Sequence, residues 1–203
     1  MVNAPSRMVQ WPAQPRDDVM LAYVFWHRSY PQVEPATYEN SIMRFQEALS
    51  RNPSPGLDGA ASWRIEAVPW LGDQGGYEDW CFLQGSWAMD PLNAFAVVGD
   101  RQPSHDTLAA QMGAGAGGLY THIWGNVCTA PTSTVVWLTR PRGIQWRPPL
   151  EAVRAKVPAA TVWRRQMVLG PAPEFAVEAP GAATIPVPPG WESRAVKRVR
   201  LTP

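Results

Sequence analysis

His27 and His122 both stand in runs rich in β-branched and aromatic residues. An unperturbed imidazole titrates near pH ~6.5, so beside a tyrosine or carboxylate it can take and return a proton. Strand alternation puts Tyr23, Phe25 and His27 on one face, with Ala22, Val24 and Trp26 on the other. The same parity groups Tyr120, His122 and Trp124, and also Ser62, Arg64 and Glu66. The candidate catalytic residues are therefore His27, His122, Tyr23 and Tyr120. The candidate ligand-binding residues are Phe25, Arg64, Glu66, Trp80, Trp124 and His105. Converging, these faces make a polar cluster in an aromatic wall, which is the usual anatomy of a small-molecule pocket. In the plainer alternative, Arg64 and Glu66 are an exposed face over Trp63, Ile65 and Ala67, and His27 is a solvated strand end.

His105 follows Ser104, which can cap a helix beginning there. The helix dipole favours the neutral imidazole, a form able to ligate haem. An ordinary capped turn competes with that reading. In Tyr77-Glu78-Asp79-Trp80, alternation sends the two carboxylates to opposite faces, so they are no acid–base couple. A cross-strand ion pair, for instance with Arg64, is the expected outcome.

Residues 113–118 match G-x-G-x-x-G, but a dinucleotide site needs a strand before the motif and a helix after it. Here a helix precedes and a strand follows, and Leu138 stands where the ribose-binding acid belongs. The glycines are expected to turn the chain out of the helix or to line a cavity mouth. Cys81 and Cys128 have neither metal-site nor disulfide spacing; Cys81 reads as a small core residue. The three histidines are too scattered for a metal site, and none is expected.

The 203 residues are 45% hydrophobic and 17% charged, against about 25% charged in an ordinary soluble domain, which excludes disorder. Net charge is +1. The basic tail, Arg194, Lys197, Arg198 and Arg200, alternates with apolar residues and reads as a solvated edge strand. Nucleic acid needs a basic stripe, so it is not an expected partner. No run approaches the roughly 20 apolar residues of a membrane span, and no apolar signal segment appears near the start. A cytoplasmic location is the expectation. Eleven tryptophans imply a thick core or an aromatic-lined cavity.

The positioning elements read as follows. Residues 1–17 form a Pro-rich arm. A strand covers 19–27, and a helix covers 37–49 on the spacing of Tyr38, Ile42, Phe45 and Leu49. Strands follow at 62–68 and 77–85, helical segments at 90–98 and from 105, and a strand at 119–124. Residues 18–125 thus read β-α-β-β-α-β, the split βαβ or ferredoxin-like order. Residues 126–203 read as a degenerate second copy: strands at 134–139, 161–169, 174–177 and 194–201, and one helix at 148–157. A Pro-rich stretch, 180–190, stands where the second helix belongs.

This order resembles the dimeric α+β barrel superfamily, which includes antibiotic-biosynthesis and haem-degrading monooxygenases, muconolactone isomerases and chlorite dismutase relatives. The resemblance implies an α+β fold of tandem ferredoxin-like units forming a barrel, closed within one chain or by a homodimer. It also implies ligands held between sheet and helices or inside the barrel. The leading functional expectation is a small-molecule-binding protein or cofactor-independent enzyme with an aromatic pocket in the barrel. The alternatives are a non-catalytic interaction protein and a haem-binding, monooxygenase-like protein using His105 or His27.

Overall fold

In the computed structural model, residues 20–201 are described, and their eight strands close into one antiparallel barrel. The proposed arm, residues 1–17, lies outside the described residues. The first unit comprises β1 (Leu21–Ser29), α1 (Pro35–Arg51), β2 (Leu57–Val68), β3 (Gln74–Leu83), α2 (Met89–Ala96), α3 (Gln102–Gln111) and β4 (Met112–Trp124). The second comprises β5 (Thr132–Thr139), α4 (Arg147–Lys156), β6 (Thr161–Arg165), β7 (Phe175–Pro180) and β8 (Glu192–Arg200). The order around the barrel is β1-β3-β2-β8-β5-β7-β6-β4. Each unit contributes a four-stranded sheet, β4-β1-β3-β2 and β8-β5-β7-β6. They join at two seams, β2 to β8 and β4 to β6. Both seams lie within one chain and are short, three residue pairs between β2 and β8 and four between β4 and β6.

Local sequence explains the elements. α1 opens on Pro35, whose missing N–H is no loss in a first turn, and buries Tyr38, Ile42 and Leu49 at helical spacing. β1 is buried at Ala22, Val24 and Trp26, which face the barrel interior, while Tyr23 and Phe25 on the other face are half-buried under the helices. α3 begins at Gln102, upstream of the expected Ser104 cap. Pro103 fits its first turn, and the Ser104 hydroxyl donates back to the Arg101 carbonyl at 2.8 Å.

The glycine run is strand, not turn. β4 runs straight through it from Met112, paired with β1 at Phe25↔Gly117 and His27↔Gly115. A Cβ on Gly115 would lie 2.6 Å from Phe25 Cζ, and one on Gly117 would lie 2.8 Å from the Tyr23 hydroxyl. The missing side chains give those two rings room over the neighbouring strand.

The expected edge strand in the tail is also corrected. β8 closes the barrel between β2 and β5, and Arg198 is 1% exposed. Inside the barrel its guanidinium donates to Glu78 at 2.7 Å, to Glu178, and to Ser133 Oγ at 2.9 Å, and it lies 4.4 Å from the Trp63 ring centroid. Burial pulls the Arg198 pKa down, but Glu178 and Glu78 outweigh it and hold the guanidinium above its ordinary value. Trp26 and Trp80 donate their indole N–H to Glu78, and Trp163 donates to Glu178. With Trp63 and Trp137, these five fully buried indoles fill the lumen. An eight-stranded barrel has an interior that side chains can just fill. The pocket expected inside the barrel is therefore packed core.

Candidate functional site

The first unit's outer face carries the convergent polar groups. β1 sends Tyr23, Phe25 and His27 outward, β3 sends Tyr77, Asp79 and Cys81, and β2 sends Ser62. α1 lays Tyr38 across them. The Tyr38 hydroxyl is 2.7 Å from His27 Nδ1, and His27 Nε2 is 3.2 Å from Asp79 Oδ2. The Ser62 hydroxyl donates to Asp79 Oδ1 at 2.5 Å. His27 is fully buried and Asp79 nearly so.

One proton assignment satisfies every group. A carboxylate can only accept, so Nε2–H donates to Asp79 and Nδ1 accepts from Tyr38 O–H. Burial, then the nearby charges of Asp79 and Tyr77, push the Tyr38 phenol well above the usual tyrosine range, so it keeps the proton it donates. Tyr38–His27–Asp79–Ser62 is thus one hydrogen-bonded line through the layer between helix and sheet.

Asp79 also faces a cavity of about 320 Å³ between this sheet and the helices. Its floor is Tyr23, Phe25, Asp79 and Cys81; α1 supplies Phe45 and Gln46, α2 supplies Met89 and Leu92, and α3 supplies His105 and Leu108. The size is at the lower end of small-molecule pockets, about 300–1,000 Å³. Burial, then the Asp79 charge, push the Cys81 thiol up to about 12, which favours the protonated thiol at neutral pH. Burial, with Cys81 and Asp79 adding to it, also raises the Tyr23 phenol.

The sequence-derived candidates divide. Tyr23, Phe25 and His105 line this cavity, and His27 stands directly behind Asp79. His27 and His122 do not share a site. His122 lies at the far end of β4, with Nε2 2.9 Å from the Gly125 carbonyl and its ring 5.0 Å from Trp163. Tyr120 points into the lumen and donates to the Pro173 carbonyl at 3.1 Å; Trp80 is in the lumen too. Trp124 follows a register shift in β4 and joins the second unit's outer core, stacked on Trp146. Arg64 is exposed and grips Glu39 bidentately at 2.7 and 2.8 Å, and Glu39 also accepts from the Tyr77 hydroxyl at 3.0 Å. Glu66 is exposed and accepts the Lys197 backbone N–H at 3.3 Å.

Three members of the line, Tyr38, Asp79 and Ser62, were not among the sequence-derived candidates. Parity was the available signal for two of them, since Asp79 shares a face with Tyr77 and Cys81, and Ser62 with Arg64. Tyr38 sits on the apolar stripe of α1, where nothing in the sequence marks its hydroxyl. The equivalent face of the second unit is solid: Phe175, Val177, Leu150, Ile185 and Trp191 pack there, the last two from the Pro-rich connection.

Haem does not fit the cavity. Both His27 nitrogens are committed and the ring has no exposure. His105 pairs Nδ1 with Asp106 at 3.0 Å, but a cavity of about 320 Å³ is too small for a macrocycle of haem's size beside it. No arginine or lysine among the described residues lines the cavity to meet haem propionates. Among the described residues no cluster of three or more metal-ligating side chains occurs, and no helix is long and apolar enough to cross a membrane.

Two four-stranded sheets of ferredoxin-like order, closed edge to edge with helices outside, define the dimeric α+β barrel class, here with both units in one chain. Solved structures of that architecture are similar to it. A proposed chlorite dismutase aligns over 91% of this chain and 95% of its own, at 11% identity and TM-score 0.53. A proposed monooxygenase from Lactobacillus acidophilus NCFM aligns over 91% and 95%, at 5% identity and TM-score 0.52. At these identities the likeness concerns the fold. The sequence matches no family model and no curated protein.

Proposed function

We propose that the chain binds one small, mainly apolar organic molecule in the cavity of the first unit, with Asp79 fixing its polar end. The observation that carries this reading is a buried carboxylate opening on an apolar cavity while held from behind by His27 and Ser62. Burying a carboxylate is costly unless its lone pairs are used. Two of them are used by the protein, and those facing the cavity are free for a ligand. The second unit supports the contrast, because an apolar cluster packs its equivalent layer. Backed by His27 and Tyr38, Asp79 can also take a proton from the bound molecule, which gives acid–base chemistry without a cofactor.

The test is fluorescence titration of the full chain with the uncharged dye prodan. Saturable one-to-one binding is expected. It should be lost in Ala96→Trp, which fills the cavity from α2, with the variant's fold checked by circular dichroism. Absence of saturable binding to the wild type would sink the reading.

A further inference from the structure

Among the described residues the cavity wall carries one acidic side chain and no lysine or arginine, beside Tyr23, Gln46, Asn93 and His105, which can both donate and accept. Asp79 is a carboxylate. Gln46 Oε1 is buried and has no partner among the described residues. His105, the remaining basic group, turns Nδ1 outward to Asp106.

The charge on Asp79 is also unbalanced. Its protein partners are a hydroxyl and, in the assignment that satisfies every group, a neutral imidazole. Protonating His27 would balance the charge but send Nδ1–H to Tyr38. The buried Tyr38 hydroxyl hydrogen would then have no acceptor among its hydrogen-bond partners. An anion buried without a counter-charge is expensive. The surrounding rings of Tyr23, Phe25 and Phe45 present faces that attract cations.

Building on the cavity reading above, we propose that the molecule this site takes is a protonated amine on a small apolar or aromatic body. The ammonium donates to Asp79, and the body lies between the rings and α2. Carboxylates and phosphates are rejected, because they meet Asp79 with like charge and find no cationic partner.

Isothermal titration of the full chain at pH 7 tests this with three matched probes: 2-phenylethylamine, 2-phenylethanol and 3-phenylpropanoate. The amine is expected to bind about ten- to a hundredfold tighter than the alcohol, the range of a charge-assisted hydrogen bond, and the acid not at all. Asp79→Asn should bring the amine down to the level of the alcohol. Equal wild-type affinity for amine and alcohol overturns the amine assignment, and so does an amine that fails to displace bound prodan. Both results leave the cavity reading standing. Absence of prodan binding removes the cavity reading and the amine with it.

Discussion

His27 Nε2 lies 3.2 Å from Asp79 Oδ2, joining residues 52 positions apart in the sequence. The register pairs His27 with Tyr77 and Phe25 with Asp79, so the contact is a diagonal one across adjacent strands. It puts an imidazole behind a carboxylate that opens on an apolar cavity, and Tyr38 fixes which nitrogen carries the hydrogen.

That arrangement makes the Tyr38 hydroxyl structurally expensive to lose. Tyr38→Phe leaves the buried Nδ1 without a donor, which costs about 1–3 kcal/mol. Ser62→Ala removes one donor to Asp79 and should cost about 1 kcal/mol, since the second carboxylate oxygen keeps its imidazole partner. Urea unfolding at pH 7 checks both: the midpoint falls and the slope is unchanged. An unchanged midpoint in Tyr38→Phe would mean that His27 is not held from that side.

Arg198 is the counter-ion of the barrel core. Arg198→Met leaves Glu78 and Glu178 buried without it, and breaking a buried pair from one side costs about 3–5 kcal/mol. Adding Glu78→Gln and Glu178→Gln to that variant should recover much of the loss, because no uncompensated charge then remains. Equilibrium unfolding of the single and triple variants measures both. A triple variant no more stable than the single one would show that lost packing against Trp63, and not charge, sets the cost.

Gly115 and Gly117 act through space. Gly115→Ala puts a Cβ 2.6 Å from Phe25 Cζ, and Phe25 is stacked between Tyr23 and His27, at centroid distances of 6.4 and 5.4 Å. The ring must move toward the cavity. Overpacking of this kind costs about 1–3 kcal/mol. Prodan affinity should fall in the same variant, and unchanged binding would show that the Phe25 ring does not form the cavity floor.

The order of elements was legible because periodicity survives in short windows. Helical spacing at Tyr38, Ile42, Phe45 and Leu49 and alternation along 21–29 gave α1 and β1, and with them the ferredoxin-like order. The closed barrel follows from tandem units of that order. Parity also separated Glu78 from Asp79 correctly, one to each face of β3. It could not say which face held a cavity. Tryptophans on the inner face filled the lumen, so the space lies outside, under α1, α2 and α3. Parity also failed along β4, where a register shift near His122 sends Trp124 to the other unit. The glycine run misled because flexible residues usually mark turns, whereas here they make room for rings on a neighbouring strand. The tail hid a buried arginine, because its carboxylate partners stand 20 and 120 residues away.

Alkaline pH should destabilise the fold through the same cavity floor. Burial, with the Asp79 charge adding to it, pushes the Cys81 thiol from its ordinary 9.0 to about 12. Burial, then Glu39, takes the Tyr77 phenol from 10.0 to about 12. A raised pKa means that the folded state keeps a proton the unfolded state has already released. The stability is therefore fully present below pH 9 and is lost as pH climbs from 9 toward 12. Between pH 9 and 10 Cys81 and the four raised tyrosines contribute comparably, because the unfolded thiol is mostly ionised there and each unfolded tyrosine reaches half ionisation at pH 10. Urea unfolding at pH 8, 9 and 10 should show stability falling in the wild type and a flatter profile in Cys81→Ala. Absorbance at 295 nm should show Tyr77 and the likewise raised Tyr23, Tyr38 and Tyr120 still protonated at pH 10 until the chain unfolds. Equal slopes in wild type and Cys81→Ala would place the alkaline sensitivity elsewhere and show that the thiol is not sealed beside Asp79.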